Sequence, residues 1–312
     1  MTRVERFHPS TKVSEWASGV ITANPGFVST GAGYFGGGGN PKTDTIDKFA
    51  FSDDSRTTLG TGLSSVRYEL AAFANSGTAG YFGGGNSSNY VTTVDKYAFS
   101  DDGRTTLGTG LSSSRRAHAG MANSGTAGYV GGGTDGSDVT TVDKVAFSND
   151  SRTTLGTGLS VARRSTAAFA NSGTAGYVLG GQSLGADTVD KFAFSDDSRT
   201  TLGTGLSAGS SSIAGMADSG TAGYIGRIGS GTGVDKFAFS DDSRTSLSAG
   251  LSVYRNGPGA MANSGTAGYI GGGGSSDVVD KWAFSDDGRT TLSTGLSSER
   301  QGGAGMANSG DL

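Results

Sequence analysis

The sequence predicts an all-β fold, a closed six-bladed β-propeller of four-stranded antiparallel blades, on three observations. A unit of 45 to 48 residues recurs six times, indexed by the tyrosine of a Gly-Tyr pair at Tyr34, Tyr81, Tyr129, Tyr177, Tyr224 and Tyr269. Each unit resolves into four short β-like runs separated by turn chemistry, with no helical period. The chain then ends on one more copy of the first run, RQGGAGMAN (Arg300 to Asn308), with no second run after it. A period of this size lies between the propeller repeat lengths of about 40–45 and 50 residues.

Residues 1 to about 24 do not fit the repeat and hold Trp16, one of the two histidines (His8) and Pro9. They read as an N-terminal extension, an anchor or arm for a virion or other protein partner, ahead of a propeller over residues 25–312. They lack the continuous apolar core of a signal peptide, and no run of about 18 apolar residues occurs anywhere. The expectation is therefore a soluble chain, neither exported through a signal peptide nor inserted in a membrane.

The unit Asn171 to Ser207 with the RRSTAAFAN that leads into it shows the pattern: RRSTAAFAN, GYVLGG, DTVDKFAFS and TTLGTGLS. The first run is poor in large side chains (Ala167, Ala168, Phe169, Ala170; Ala119, Gly120, Met121, Ala122), which suits strands crowding one axis. NSGTAG joins the first run to the second and SDDSR or SDDGR the third to the fourth, both rich in residues that cap turns or accept positive φ. Two hairpins per unit follow. The first blade lacks an inner strand of its own, and the C-terminal segment Arg300 to Asn308 is expected to supply it, satisfying both sheet edges. GFVST (Gly26 to Thr30) is the competing candidate.

Composition removes several chemistries. A net charge of −4 leaves no basic field for nucleic acid. The absence of cysteine removes disulfides, thiolate metal sites and thiol nucleophiles. With only His8 and His118 in the chain, no spacing supports a histidine metal site or triad. Gly31, Gly33 and Gly36 satisfy G-x-G-x-x-G, but no helix follows and equivalent glycines recur in the other units as strand punctuation. No cofactor, metal or catalytic residue is assigned, and an enzyme is the weakest class.

The repeated acidic residues read as structure. The turn pairs Asp53/Asp54, Asp101/Asp102, Asp196/Asp197, Asp241/Asp242 and Asp286/Asp287 could hold calcium. The arginine two residues on (Arg56, Arg104, Arg199, Arg244, Arg289) points instead to a capped turn with a local ion pair. The strand aspartates Asp47, Asp95, Asp143, Asp190, Asp235 and Asp280 are expected to be buried and neutralised by the arginine that follows GLS by three residues, as with Asp95, Arg115, Asp143 and Arg163. Ser210 takes the arginine's place after unit four.

A Gly-Gly pair after a Tyr-x-x run (GYVLGG), an acidic residue in the third strand (VDKFAF) and an arginine opening the next inner strand resemble kelch repeats. The glycine-rich pattern of GYFGGG and VDK is also similar to kelch-like repeats in tail-fibre and other virion proteins of bacteriophages, particularly those of cyanobacteria. The resemblance covers about nine tenths of the chain. It implies a propeller that binds partners on the face of the connections between strands two and three. It departs from the kelch pattern in lacking the fourth-strand tryptophan, with Leu59 and Leu107 in that region, and in carrying Arg227 and Ile228 after Gly226. The copper-radical enzymes on kelch-type blades use a Tyr-Cys cross-link that this chain cannot form.

Comparison among the units locates the variable surface. In an up-down-up-down blade the two hairpins emerge on one face, and the second-to-third connections and blade links on the other. The hairpins are nearly constant, whereas the connections (GNSSNYVTT, GTDGSDVTT, GQSLGADT, RIGSGTG) and links (SSVRYEL, SSSRRAH, SVARRST, SVYRNGP) differ. That face carries the candidate binding residues Tyr68, Glu69, Asn89, Tyr90, Arg116, His118, Arg164, Tyr254 and Asn256. The expected function is a non-enzymatic binding or structural module in a larger assembly, a virion appendage recognising a host glycan or a neighbouring virion protein. The alternatives are a cytoplasmic kelch-type adaptor and a lectin with equivalent sites in each blade.

Overall fold

A computed structural model of the protein describes residues 31–182 and 185–308, with Arg227 and Ile228 described in backbone alone. The N-terminal extension 1–24, its proposed partner contacts and the competing strand Gly26 to Thr30 lie outside the described residues. The described chain is all-β: 24 strands in six four-stranded antiparallel sheets. Five blades are continuous in sequence. The first takes β1 (Ala32–Gly36), β2 (Ile46–Ala50) and β3 (Arg56–Thr58) from the start of the propeller and its inner strand, β24 (Ala304–Ala307), from the end. The register Tyr34↔Met306 and Phe35↔Gly305 closes the ring as expected.

Small inner-strand residues are required by how closely the blades approach at the axis. A Cβ on Gly120 would lie 2.2 Å from the carbonyl oxygen of Ala72 in the preceding blade. The larger third residue of the inner strand finds its room elsewhere. Phe73 packs over Gly128 of the next blade, where a Cβ would fall 2.0 Å from the ring. Each Gly-Tyr tyrosine in turn stacks on a phenylalanine of the following blade, with ring centroids 5.1–5.5 Å apart.

The outer strands are shorter than the TTLGTGLS run suggests. In the fourth blade only Arg199–Thr201 pairs, against Asp190 to Phe192. The chain then leaves the sheet to bury Leu206 and deliver Ser207 to the next blade, where the Ser207 N–H donates to Asp235 at 2.8 Å.

The turn motifs are staples between blades, and here one expectation is corrected. The first aspartate caps its own turn, Asp53 accepting the Ser55 N–H at 3.0 Å. The second, at positive φ, does not pair with the nearby arginine. Asp102 accepts from Tyr34 Oη at 2.8 Å and from Lys48 Nζ at 2.7 Å, both in the preceding blade. The same grip recurs around the ring, and Asp54 of the first blade holds Tyr269 and Lys281 of the sixth. The left-handed backbone aims the second carboxylate away from its own strand, so the turn arginine swings back toward the strand aspartate. Arg56 lies 3.5 Å from Asp47. In NSGTAG, the Ser76 N–H donates to Ser124 Oγ at 2.9 Å and the Gly125 N–H to Asn75 Oδ1 at 2.8 Å, again between neighbours.

The buried ion pairs form as the sequence indicates. Arg115–Asp143 at 2.9 Å and Arg163–Asp190 at 3.0 Å have fully buried side chains, and Arg67–Asp95, Arg255–Asp280 and Arg300–Asp47 repeat them. Burial pushes Asp143 up, but the Ser112 N–H, the Arg115 charge and the Thr154 hydroxyl together hold it below the usual carboxylate range. Asp235 is equally buried, yet no cation reaches it among the described residues. It accepts from the Ser207 N–H and from the hydroxyls of Ser207 and Ser246.

This difference is testable. Asp95→Asn strands a buried guanidinium and is expected to cost about 3–5 kcal/mol in chemical denaturation. Asp235→Asn, whose amide can face the two hydroxyls, is expected to cost less than about 1 kcal/mol.

Candidate functional site

The connections and blade links meet on one face, as backbone pairs between Tyr68 and Asn86 and between Arg116 and Thr134 show. Around the axis this face is built on a closed circle of six backbone hydrogen bonds. The N–H of Glu69 donates to the carbonyl of Gly302, Gly302 to Gly257, Gly257 to Ser212, Ser212 to Ser165, Ser165 to Ala117, and Ala117 back to Glu69, at 2.5–3.0 Å. All six residues have φ between 54° and 65°. Four of them carry a side chain in a left-handed conformation that costs roughly 1–3 kcal/mol each, which the circle must offset. No local turn signal in the sequence marks this feature, because each bond joins residues one blade apart.

Outside the circle the candidate residues divide into groups. Tyr68, Glu69, Tyr90 and Arg116 come together over blades one to three. Arg116 pairs with Glu69 and lies over the Tyr90 ring at 5.3 Å, while Lys42 sits over Tyr68 at 5.2 Å and Asn86 donates to Tyr68 Oη at 3.2 Å. Asn89 is exposed in the connection beside Tyr90. Arg164 belongs to a separate polar group, with Asp138 at 2.7 Å and Gln182 at 2.9 Å. Tyr254, 52% exposed, and Asn256 lie on the link entering the sixth blade, with Val253 also exposed. Lys42 was missed by sequence reasoning, and so was Asp138. Each stands in a connection whose partner lies in a different blade.

His118 is the exception to a surface role. It is 4% exposed, and its Nε2 lies 3.1 Å from the carbonyl oxygen of Gly83. A carbonyl only accepts, so Nε2 carries the proton and Nδ1 is left as an acceptor. Burial, reinforced by the neighbouring Arg115 charge, lowers its pKa to about 3. The imidazole is thus neutral at physiological pH.

The repeated ionisable groups are engaged in holding blades together. Burial and the bond to Asp102 raise the Tyr34 phenol above its ordinary range, and the other five Gly-Tyr tyrosines behave alike. Among the described residues no group of three or more histidines and acids is arranged to hold a metal ion. No family model matches the chain, and no curated protein is similar to it.

The depressed His118 pKa makes stability depend on pH in a defined sense. Between about pH 6.5 and 3 the unfolded imidazole binds a proton that the native one does not, so stability falls as pH falls, by about 1.4 kcal/mol per pH unit. His118→Leu, which reproduces Leu70 at the equivalent position of the second blade, is expected to flatten that part of a pH series of denaturation midpoints relative to the unaltered protein.

Proposed function

We propose that the protein is a non-enzymatic binding module whose variable propeller face recognises a surface glycan or a neighbouring protein. The observation that carries this reading is the division of polar groups between the two faces. On the hairpin face the repeated Asp, Tyr, Lys, Asn and Ser side chains bond to a neighbouring blade. On the other face the aromatic and charged residues differ from blade to blade and gather beside the axis, an arrangement suited to one asymmetric partner. A lectin with six equivalent sites would have to use the repeated carboxylates, whose oxygens already accept from tyrosine and lysine.

The kelch-like pattern and its similarity to phage tail-fibre repeats support a place in a virion appendage, where a rigid ring would present this face to a host surface. Glycan-array binding is expected to weaken about tenfold or more in Tyr68→Ala, Arg116→Ala and Tyr254→Ala, with unfolding midpoints little changed. Binding that survives all three but is lost on altering the Asp-Asp turns would favour repeated sites instead. Mass spectrometry of purified virions should find the protein, and its absence would overturn the appendage assignment.

A further inference from the structure

Charge is not shared evenly between the two faces. On the hairpin face each second turn aspartate has its lysine, and each exposed first aspartate has an arginine three residues on. On the variable face Arg116 and Arg164 are matched by Glu69 and Asp138, and the buried arginines by strand aspartates. Asp44, Asp135, Asp187, Asp277 and Glu299 are exposed there, and none forms an ion pair among the described residues. Among the described side chains of this face, Lys42 alone is left to set against them. The surplus acid of a chain with net charge −4 thus gathers on the variable face. A field of this sign concentrates cationic partners and turns anionic ones away.

At the sixth blade the open carboxylates meet apolar surface. The link 252–257, the connection 272–278 and the link 296–301 are tied together by backbone: the Gly274 N–H donates to the Asn256 carbonyl at 2.8 Å, the Leu296 N–H to the Asp277 carbonyl at 2.7 Å and the Arg300 N–H to the Ser276 carbonyl at 3.4 Å. Asp277 and Glu299 stand on this sector with Val253 and Tyr254. Among the described residues only Val66 joins those two as a large exposed apolar side chain. Arg255 and Arg300 are buried against Asp280 and Asp47 and present no charge to solvent. A lysine or arginine suits such a surface in both its parts, the stem on the ring and the valine, the head at a carboxylate. Over blades one to three the arrangement differs, because Lys42 already lies over Tyr68 and Arg116 over Tyr90. The axial collar of Leu70, His118, Thr166, Ile213, Pro258 and Gly303 borders a cavity of about 140 Å³ and carries no charge at neutral pH.

We propose that the sixth-blade sector of the variable face docks a basic protein segment, whose lysines or arginines pair with Asp277 and Glu299 and lay their stems on Val253 and Tyr254. This deepens the recognition reading and rests on it for the face being used. It also selects a protein as the partner. Surface polysaccharides are built mostly from neutral and acidic sugars, which bring hydroxyls and negative charge but no cation for these carboxylates, whereas a peptide segment can carry cationic and apolar side chains together.

The test uses the full-length protein and three fluorescein-labelled peptides of equal length, GKLKGKLKG and its counterparts with glutamine or glutamate in place of lysine, followed by fluorescence anisotropy. The lysine peptide is expected to bind with a Kd of about 10–100 μM at about 50 mM salt, roughly tenfold or more tighter than the glutamine peptide, and to weaken as salt rises. The glutamate peptide should not bind. Asp277→Asn combined with Glu299→Gln should weaken the lysine peptide about fivefold or more, and Tyr254→Ala about threefold. Asp53→Asn combined with Asp286→Asn removes the same charge from the hairpin face, at a turn position where the third unit already has Asn149. That pair should change affinity by less than about twofold. Equal affinity for the lysine and glutamine peptides would overturn the proposal. Equal weakening by the two charge-removing pairs would do so too, since the effect would then belong to net charge and not to this sector. Glycan-array binding that persists while the lysine peptide fails to bind would remove this proposal and leave the recognition reading standing.

Discussion

The second aspartate of each Asp-Asp or Asn-Asp turn is where six small sheets become one body. It stands at a left-handed backbone position, φ 56–58°, and from there its carboxylate reaches the tyrosine and lysine of the preceding blade. Those two residues are cross-strand neighbours, Tyr34 opposite Lys48, with the ammonium 5.4 Å from the ring centre. One carboxylate therefore fixes two strands of the adjoining blade at once. Each grip is about one-quarter exposed and contributes on the order of 1 kcal/mol, but it recurs at all six junctions, including the one that joins the sixth blade to the first. Beside it the stacked Tyr-Phe pairs and the Asn-Ser-Gly staples act at the same junctions, so a change in one turn is felt by two blades.

Most of this architecture was legible in the sequence, because the fold is set by periodic features. Period, run length, turn composition and the unpaired segment after Ser297 lead to six blades and to closure by β24, and the structure has both. The partners of the repeated side chains were less legible. The arginine two positions beyond the turn aspartate is its obvious partner along the chain, yet the carboxylate pairs with Lys48-type residues about fifty positions away. Proximity in sequence favoured the wrong cation, since the left-handed turn directs the side chain out of its own hairpin.

The candidate site was legible as a face and not as a set of contacts. Variation among the connections puts Tyr68, Glu69, Tyr90, Arg116 and His118 on one face; the first four lie in mutual reach, whereas His118 is buried at the axial collar. A partial signal was present: aligned by blade, His118 occupies the position of Leu70, Ile213 and Pro258, so three of the six blades carry an apolar residue there. Position within the repeat, more than residue type, tells which polar groups face solvent. The hydrogen-bonded circle beneath them had no such signal, because Glu69, Ala117, Ser165 and Ser212 share no chemistry beyond a backbone amide.

The fifth blade shows how one lost residue is absorbed by backbone. In the second blade Arg67 neutralises Asp95 and also donates to the carbonyl of Thr93, at the point where the connection enters the third strand. Ser210 can do neither for the fifth blade. There the connection is shorter, and the two strands continue through a bulge until Ile228 pairs with Gly233. The sheet ladder thus takes over the carbonyls that a guanidinium serves elsewhere, while Ser210 Oγ accepts the Gly229 N–H at 2.7 Å and donates to the carbonyl of Ala208. Ser210 carries no positive charge, and among the described side chains Asp235 is held by Ser207 and Ser246. The shortened connection and the missing arginine are therefore one change, seen at two places in the chain.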